Sequence, residues 1–282
     1  MNVYEILTER ILQKLDEGVV PWRKTWRGPE PHQNLVSRRP YRGINVFLLA
    51  MQGFGSPYWL TRKQAGAVGG RIRAGEPGSL VVFWKWLDKR DPRTGEALDP
   101  VPLLRYYRVW NLEQTDGIER PEPKRSAFPP IKAAEEILRG MPDRPEGGHR
   151  DPGRAYYDPW GDRVNLPPPE AFEGPEAYYA CAFHELVHST GHKSRLDRPT
   201  LIQITRFGGH AYCKEELVAE MGAAFLCGVA GIEEATLANS AAYIDGWRRK
   251  LTDAPRLLVH AAGQAQRAAD FVLGRTEAKR SH

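Results

Sequence analysis

Apolar and polar positions along this chain recur with different rhythms, and each rhythm marks an element. In VYEILTERILQKLDEG, charges at Glu5, Glu9, Arg10, Lys14, Asp16 and Glu17 fall among apolar residues at helical spacing, which predicts an amphipathic helix over about residues 2 to 17. After the proline-tryptophan turn VVPWRKTW, a second apolar helix is expected near Gly43 to Gln52 and a third in LTRKQAGAVGG. The rhythm then changes. SLVVFWKWL (79–87) and LLRYYRVWNL (103–112) are β-branched and aromatic runs, the composition of strands, joined by the turn-rich loop DKRDPRTGEALDP.

Prolines and charges interrupt every pattern in residues 118–130, which reads as a linker between an N-terminal domain, 1–117, and a C-terminal one, 131–282. Beyond it, IKAAEEILRGM predicts a helix, and RAYYDP and DRVNLP predict two short strands about a turn at Pro159 to Gly161. Gly174-Pro175 places proline at a helix start, and Gly191 is expected to end that helix in a left-handed position. Between them Tyr179, Phe183, Leu186 and Val187 repeat as i, i+4, i+7 and i+8, one apolar face. A further helix in KEELVAEMGAAFLCGVAG (214–231) and two more near 239–252 and 254–273 complete the pattern. The fold class is α+β: a small α+β domain followed by a mostly helical one, with no internal repeat.

Composition narrows the classes. With 41% hydrophobic and 27% charged residues, the 282-residue chain has no apolar run approaching ~20 residues, so no membrane-spanning helix is expected. The charged opening helix is unlike a signal peptide. Cys181, Cys213 and Cys227, odd in number and in apolar helical contexts, do not make a disulfide framework, and a cytoplasmic location is expected.

The charge is unevenly placed. Residues 1–120 hold 19 Lys+Arg against 13 Asp+Glu, while residues 20–75 hold ten against one. Trp22, Trp26, Tyr41, Phe47, Phe54, Tyr58 and Trp59 are interleaved with those cations. Alternating π-faces and cations suit single-stranded DNA, with Trp22, Arg23, Lys24, Trp26, Arg42, Arg62 and Lys63 as candidate contacts. The competing reading makes the rings a core and the cations a solvated face.

HELVHSTGH (184–192) places His184 and His188 one helical turn apart, where both reach one ion. Glu185, one step round the helix, is placed to act as general base without being a ligand. Short motifs arise by chance, so a third ligand has to be found. Position 194 is Ser194, His192 comes two residues too early, and His210 lies in the glycine-rich RFGGHAY. The stretch Glu216-Leu-Val-Ala-Glu220 offers carboxylates one turn apart, beside the small Ala219, Gly222 and Ala223 that let two helices approach. Glu216 is assigned as the ligand and Glu220 as partner of a ligand histidine's free N–H, with the reverse assignment as the alternative. Zn2+ suits this donor set, as do Mn2+ and Co2+. DRVNL (162–166) is either an edge for an extended peptide substrate or an ordinary sheet strand, and Tyr212 is a candidate polar donor.

The words VYEILTERILQKLDEGVVPWRKTW, YRGINVFLLA, WLTRKQAGAVGGRIRAGEPG, VVFWK and VWNLEQTDGI resemble the N-terminal domain of ArdC-type antirestriction proteins, and FHELVHSTGH and YCKEELVAEMGAAFL the zincin-like domain that follows it there. The resemblance implies a single-stranded-DNA-binding domain joined to a gluzincin-like metallopeptidase domain, carried by mobile elements and protecting incoming DNA. The rival expectation is a non-enzymatic DNA-coating protein whose metal is structural.

Overall fold

The computed structural model describes residues 3–18, 20, 31–90, 97–121, 130–202, 210–232, 247–249, 251–252, 254 and 256–275, and structural statements refer to these. The opening amphipathic pattern forms α1 (Val3–Asp16), which buries Leu7, Ile11 and Leu15 and leaves Glu5, Glu9 and Asp16 exposed. β1 (Gln33–Asn34), α2 (Ile44–Ala50), β2 (Tyr58–Leu60), α3 (Arg62–Ala67) and β3 (Arg71–Ile72) follow. A reciprocal capping box starts α3: the Thr61 hydroxyl accepts from the Gln64 N–H, and the Gln64 side chain accepts from the Thr61 N–H.

The two aromatic runs form one long hairpin, β4 (Ser79–Arg90) and β5 (Ala97–Asn111), followed by β6 (Thr115–Asp116). Its register runs from Ser79↔Val109 to Arg90↔Ala97, with an irregularity between Leu87 and Lys89. The strand period of two divides its side chains. Val81 and Val109 join Leu49 and Trp59 in a small cluster, while Leu80, Val82 and Leu104 belong to the main core with α1 and α2. Sheet order is β1-β2-β5-β4, and β2 pairs with β5 only at Trp59↔Asn111 and Leu60↔Trp110.

The C-terminal half contains α4 (Pro130–Gly140), β7 (Glu146–Gly148), β8 (Tyr156–Asp158), β9 (Arg163–Asn165), α5 (Pro175–Ser189), α6 (Pro199–Ile202), α7 (His210–Ala230) and, in this numbering, α8 (Leu257–Val272). α5 and α7 approach closely because α7 carries small residues at the contact. A Cβ built at Gly222 would lie 2.8 Å from both Val187 methyl carbons, so any side chain there pushes the helices apart.

The apolar faces of α1, α2, α5, α7 and α8 meet in one cluster that spans both halves of the sequence. The rings of Phe47 and Phe225 stack with centroids 4.9 Å apart. Arg42 pairs with Asp270, and the Gly43 N–H donates to Gln266 at 3.1 Å. The N-terminal elements therefore rest on α7 and α8 through both apolar and polar contacts. No described helix is long and apolar enough to cross a membrane.

Three expectations change. DRVNL is no edge: β9 is the middle strand of the sheet β7-β9-β8, parallel to β7 and antiparallel to β8, so both its hydrogen-bonding sides are used. Gly191 does not adopt the left-handed region; α5 ends on Thr190 in right-handed geometry. The glycine is needed there for space, because a Cβ would lie 3.0 Å from the Arg198 guanidinium. His210 and Tyr212 belong to α7, which starts at His210 rather than near Lys214. Most of the helix expected near 239–252 lies outside the described residues.

Candidate metal centre

Proline at the start of α5 and its apolar stripe fix the helix, with Tyr179, Phe183, Leu186 and Val187 all buried. That packing turns His184 and His188 toward α7. Their Nε2 atoms are 3.1 Å apart. α7 brings Glu216 to the same point, Oε2 3.7 Å from His184 Nε2 and Oε1 3.5 Å from His188 Nε2. One ligand atom from each of the three residues lies within 4.8 Å of the others. Ligands about 2.0–2.2 Å from a tetrahedral ion stand roughly 3.3 Å from one another, so this N,N,O set has the spacing a divalent cation requires.

Glu185 is 7% exposed and stands beside the three donors without joining them. Burial pushes its carboxyl up to about 7; Glu216 adds to the rise, and His188 and the Tyr157 backbone oppose it. Tyr157 lies on β8, an outer strand of the small sheet. The strand edge next to the candidate base is thus β8, not β9. A polar brace holds the β8–β9 turn on the end of α5: Arg195 grips Asp162 through both Nη atoms at 2.8–2.9 Å and donates to the Ser189 carbonyl at 3.1 Å. The Tyr157 hydroxyl donates to Asp162 at 2.8 Å.

Behind His188 is a buried pair absent from the sequence reading. Glu215 Oε1 stands 3.5 Å from His188 Nδ1. Its carboxylate receives Arg198 Nη2 at 2.5 Å, Arg198 Nε at 3.2 Å and the Thr200 hydroxyl at 2.6 Å. Arg198 also donates to the Val187 carbonyl and to Thr190, tying the end of α5 to α7. Burial would raise the Glu215 carboxyl, but His188 and Arg198 outweigh it and hold it at about 2. Burial likewise works against a proton on His188, yet Glu215 and Glu216 raise it to about 10, whereas burial and the charge on His188 lower His184 to about 4. Glu220 is half-buried on the same helix and close enough to His184 to favour its protonated form. The signal that marks Glu215 in the sequence is a glutamate doublet inside an otherwise apolar helix.

The candidate DNA contacts have mixed positions. Trp22, Arg23, Lys24 and Trp26 lie outside the described residues. Arg42 is exposed and paired with Asp270, Lys63 is exposed, and the Arg62 guanidinium lies over the Trp110 ring at 5.2 Å. Phe47, Tyr58 and Trp59 are buried, so these rings of the 20–75 segment form core and present no stacking faces, a correction to the sequence reading. Cys181, Cys213 and Cys227 are not joined in a disulfide.

Two family models match the chain: the N-terminal domain of anti-restriction factor ArdC over residues 1–110, and a zincin-like metallopeptidase over residues 146–264. DNA primase TraC of Escherichia coli is 36% identical over 96% of the chain, which spans about a quarter (27%) of that protein's length. A protein of Sinorhizobium fredii (strain NBRC 101917 / NGR234), y4eC, is 32% identical over 96% of the chain and 91% of its own length. Among solved structures, the metal-free antirestriction ArdC protein from plasmid R388 superposes with a TM-score of 0.79 at 36% identity, covering 98% of each chain. The Mn(II)-bound form of that ArdC gives 0.76 at 35% identity, covering 99% of this chain and 100% of the other.

Proposed function

The chain belongs to the ArdC antirestriction family, and from that premise we propose that it binds single-stranded DNA and carries a divalent-metal peptidase site, the two together protecting the incoming DNA of a mobile element in the cytoplasm. One observation carries the enzymatic part: His184, His188 and Glu216 converge at ligand spacing with a buried carboxylate, Glu185, beside them. When bound, a divalent ion supplies Lewis acidity, and zinc, manganese and cobalt all suit two imidazoles and a carboxylate.

The chain's own residues supply the rest. Glu185 is held near neutrality by burial, the range in which a carboxylate both takes a proton from water and returns it to a leaving amine. The β8 edge beside it offers backbone groups to an extended peptide. Binding to DNA would raise the local concentration of this site near proteins on the same strand.

The rival reading is a DNA-coating protein with a structural metal. It is disfavoured because a structural site has no use for a buried carboxylate such as Glu185 beside the three donors. A test of the enzymatic proposal compares the metal-loaded protein with Glu185→Gln on an unfolded protein substrate. The variant should keep its metal and lose turnover by about 10²–10⁴-fold. Undiminished hydrolysis by the variant would remove Glu185 from the mechanism, and no hydrolysis by the parent loaded with zinc, manganese or cobalt would favour the rival.

A further inference from the structure

Several rings of the basic N-terminal segment are spent on the core, but the β4–β5 ribbon carries others outside. Phe83, Tyr106 and Tyr107 are 41%, 50% and 39% exposed. Register places Phe83 and Tyr107 on one face, since Phe83 pairs with Arg105 and Val81 with Tyr107, and the two rings are 5.5 Å apart. Arg105 sits directly across from Phe83 on that face. Tyr106 and Arg108 turn to the other face, in line with Trp110, over which Arg62 lies at 5.2 Å. Ring and cation alternate along β5, on both of its faces.

β2 reaches only Trp110 and Asn111, so among the described residues 103–109 have no strand partner on that side. That stretch has two arginines and no acid, and neither arginine forms an ion pair with a described residue. Adjacent exposed rings call for a ligand. The cations select an anionic one, and stacking selects one whose rings are unpaired, since a duplex shows only base edges in its grooves.

We infer that the face of Phe83, Arg105 and Tyr107, with the adjoining edge of β5, is the platform on which single-stranded nucleic acid lies, bases against Phe83 and Tyr107 and phosphates at Arg105 and, where the strand passes over the edge, at Arg108. This rests on the DNA-binding reading above and relocates its contacts from the 20–75 segment to the ribbon. The test uses the full chain and a fluorescent oligothymidylate of about 20 nucleotides, with a duplex of equal length as comparison. Phe83→Ala with Tyr107→Ala should weaken single-strand binding about tenfold or more with the salt slope kept, and Phe83→Tyr with Tyr107→Phe should restore it. Arg105→Gln with Arg108→Gln should flatten the slope by about 1.4, at ~0.7 for each phosphate.

Phe83→Ala alone, at the exposed ring of β4, gives a second reading if the double alanine variant fails to fold. Arg150→Gln, an exposed arginine of the C-terminal half, should bind like the parent. If the parent binds the single strand and all ribbon variants match it, the ribbon is not the platform although the DNA reading stands. A parent that binds neither strand form at moderate salt overturns that reading itself. Loss of self-association in the ribbon variants, with oligonucleotide binding intact, would show the face to be a contact between copies of this chain and overturn the inference.

Discussion

Glu215 and Arg198 are 0% and 3% exposed, a charge pair placed where only full hydrogen bonding makes burial tolerable. Removing one partner leaves the other charged and stranded. Glu215→Gln should therefore cost about 3–5 kcal/mol in urea unfolding, and adding Arg198→Met should cost less than the two single changes summed. The sign with pH is fixed by the same pair: the folded Glu215 carboxyl lies at about 2 against an ordinary 4.5. Its contribution is present above pH 4.5 and is lost as pH falls toward 2, a limb that Glu215→Gln should lack. Equal stability of parent and variant across that window would show that the pair contributes nothing. At this scale the sequence made the donors legible in two parts: helical spacing sets His184 and His188 one turn apart on one helix, and Glu216 stands beside small residues that let a second helix come close. Arg198 was not legible: it follows the helix in a loop, and only the path of that loop turns it back under Glu215.

Between elements, the closeness of α5 and α7 sets the metal-ligand geometry, since one helix carries the histidines and the other Glu216. Gly222 controls that closeness. Gly222→Ala should destabilise by about 1–3 kcal/mol and weaken divalent-metal binding, while Val187→Ala in the same chain should return part of both by making room. Urea midpoints and metal titrations read the two effects, and a Gly222→Ala protein matching the parent in both would contradict the tight contact. The helices and the long hairpin were readable from apolar period and residue type. Strand order was not, because DRVNL has the same alternation in the middle of a sheet as at its edge; only the pairing of β7 and β8 decides.

Over the whole molecule, the charge asymmetry and the proline-rich stretch at 118–130 suggested two domains, and two family models flank that stretch. The main apolar cluster nonetheless takes residues from α1 and α2 as well as α5, α7 and α8. An amphipathic helix announces that it has a partner but not which one, so this sharing could not be read from α1 itself. Trypsin acting at Lys124 or Arg125 should give two fragments that still elute together in native size-exclusion chromatography. Fragments that part and remain folded would mean the shared cluster adds little.

The most direct measurement is calorimetric titration of the metal-free full chain with Mn2+ at pH 7.5, in two buffers of different ionisation enthalpy. Glu215 and Glu216 favour the protonated form of His188 in the absence of metal, and a ligand imidazole must be neutral. Binding should therefore show about one ion per chain with net proton release, and affinity should rise as pH rises above neutrality. His188→Ala and Glu216→Gln should abolish the binding, and Glu185→Gln should keep it. Unchanged binding by His188→Ala and Glu216→Gln would contradict the account, because the cation would then be held elsewhere.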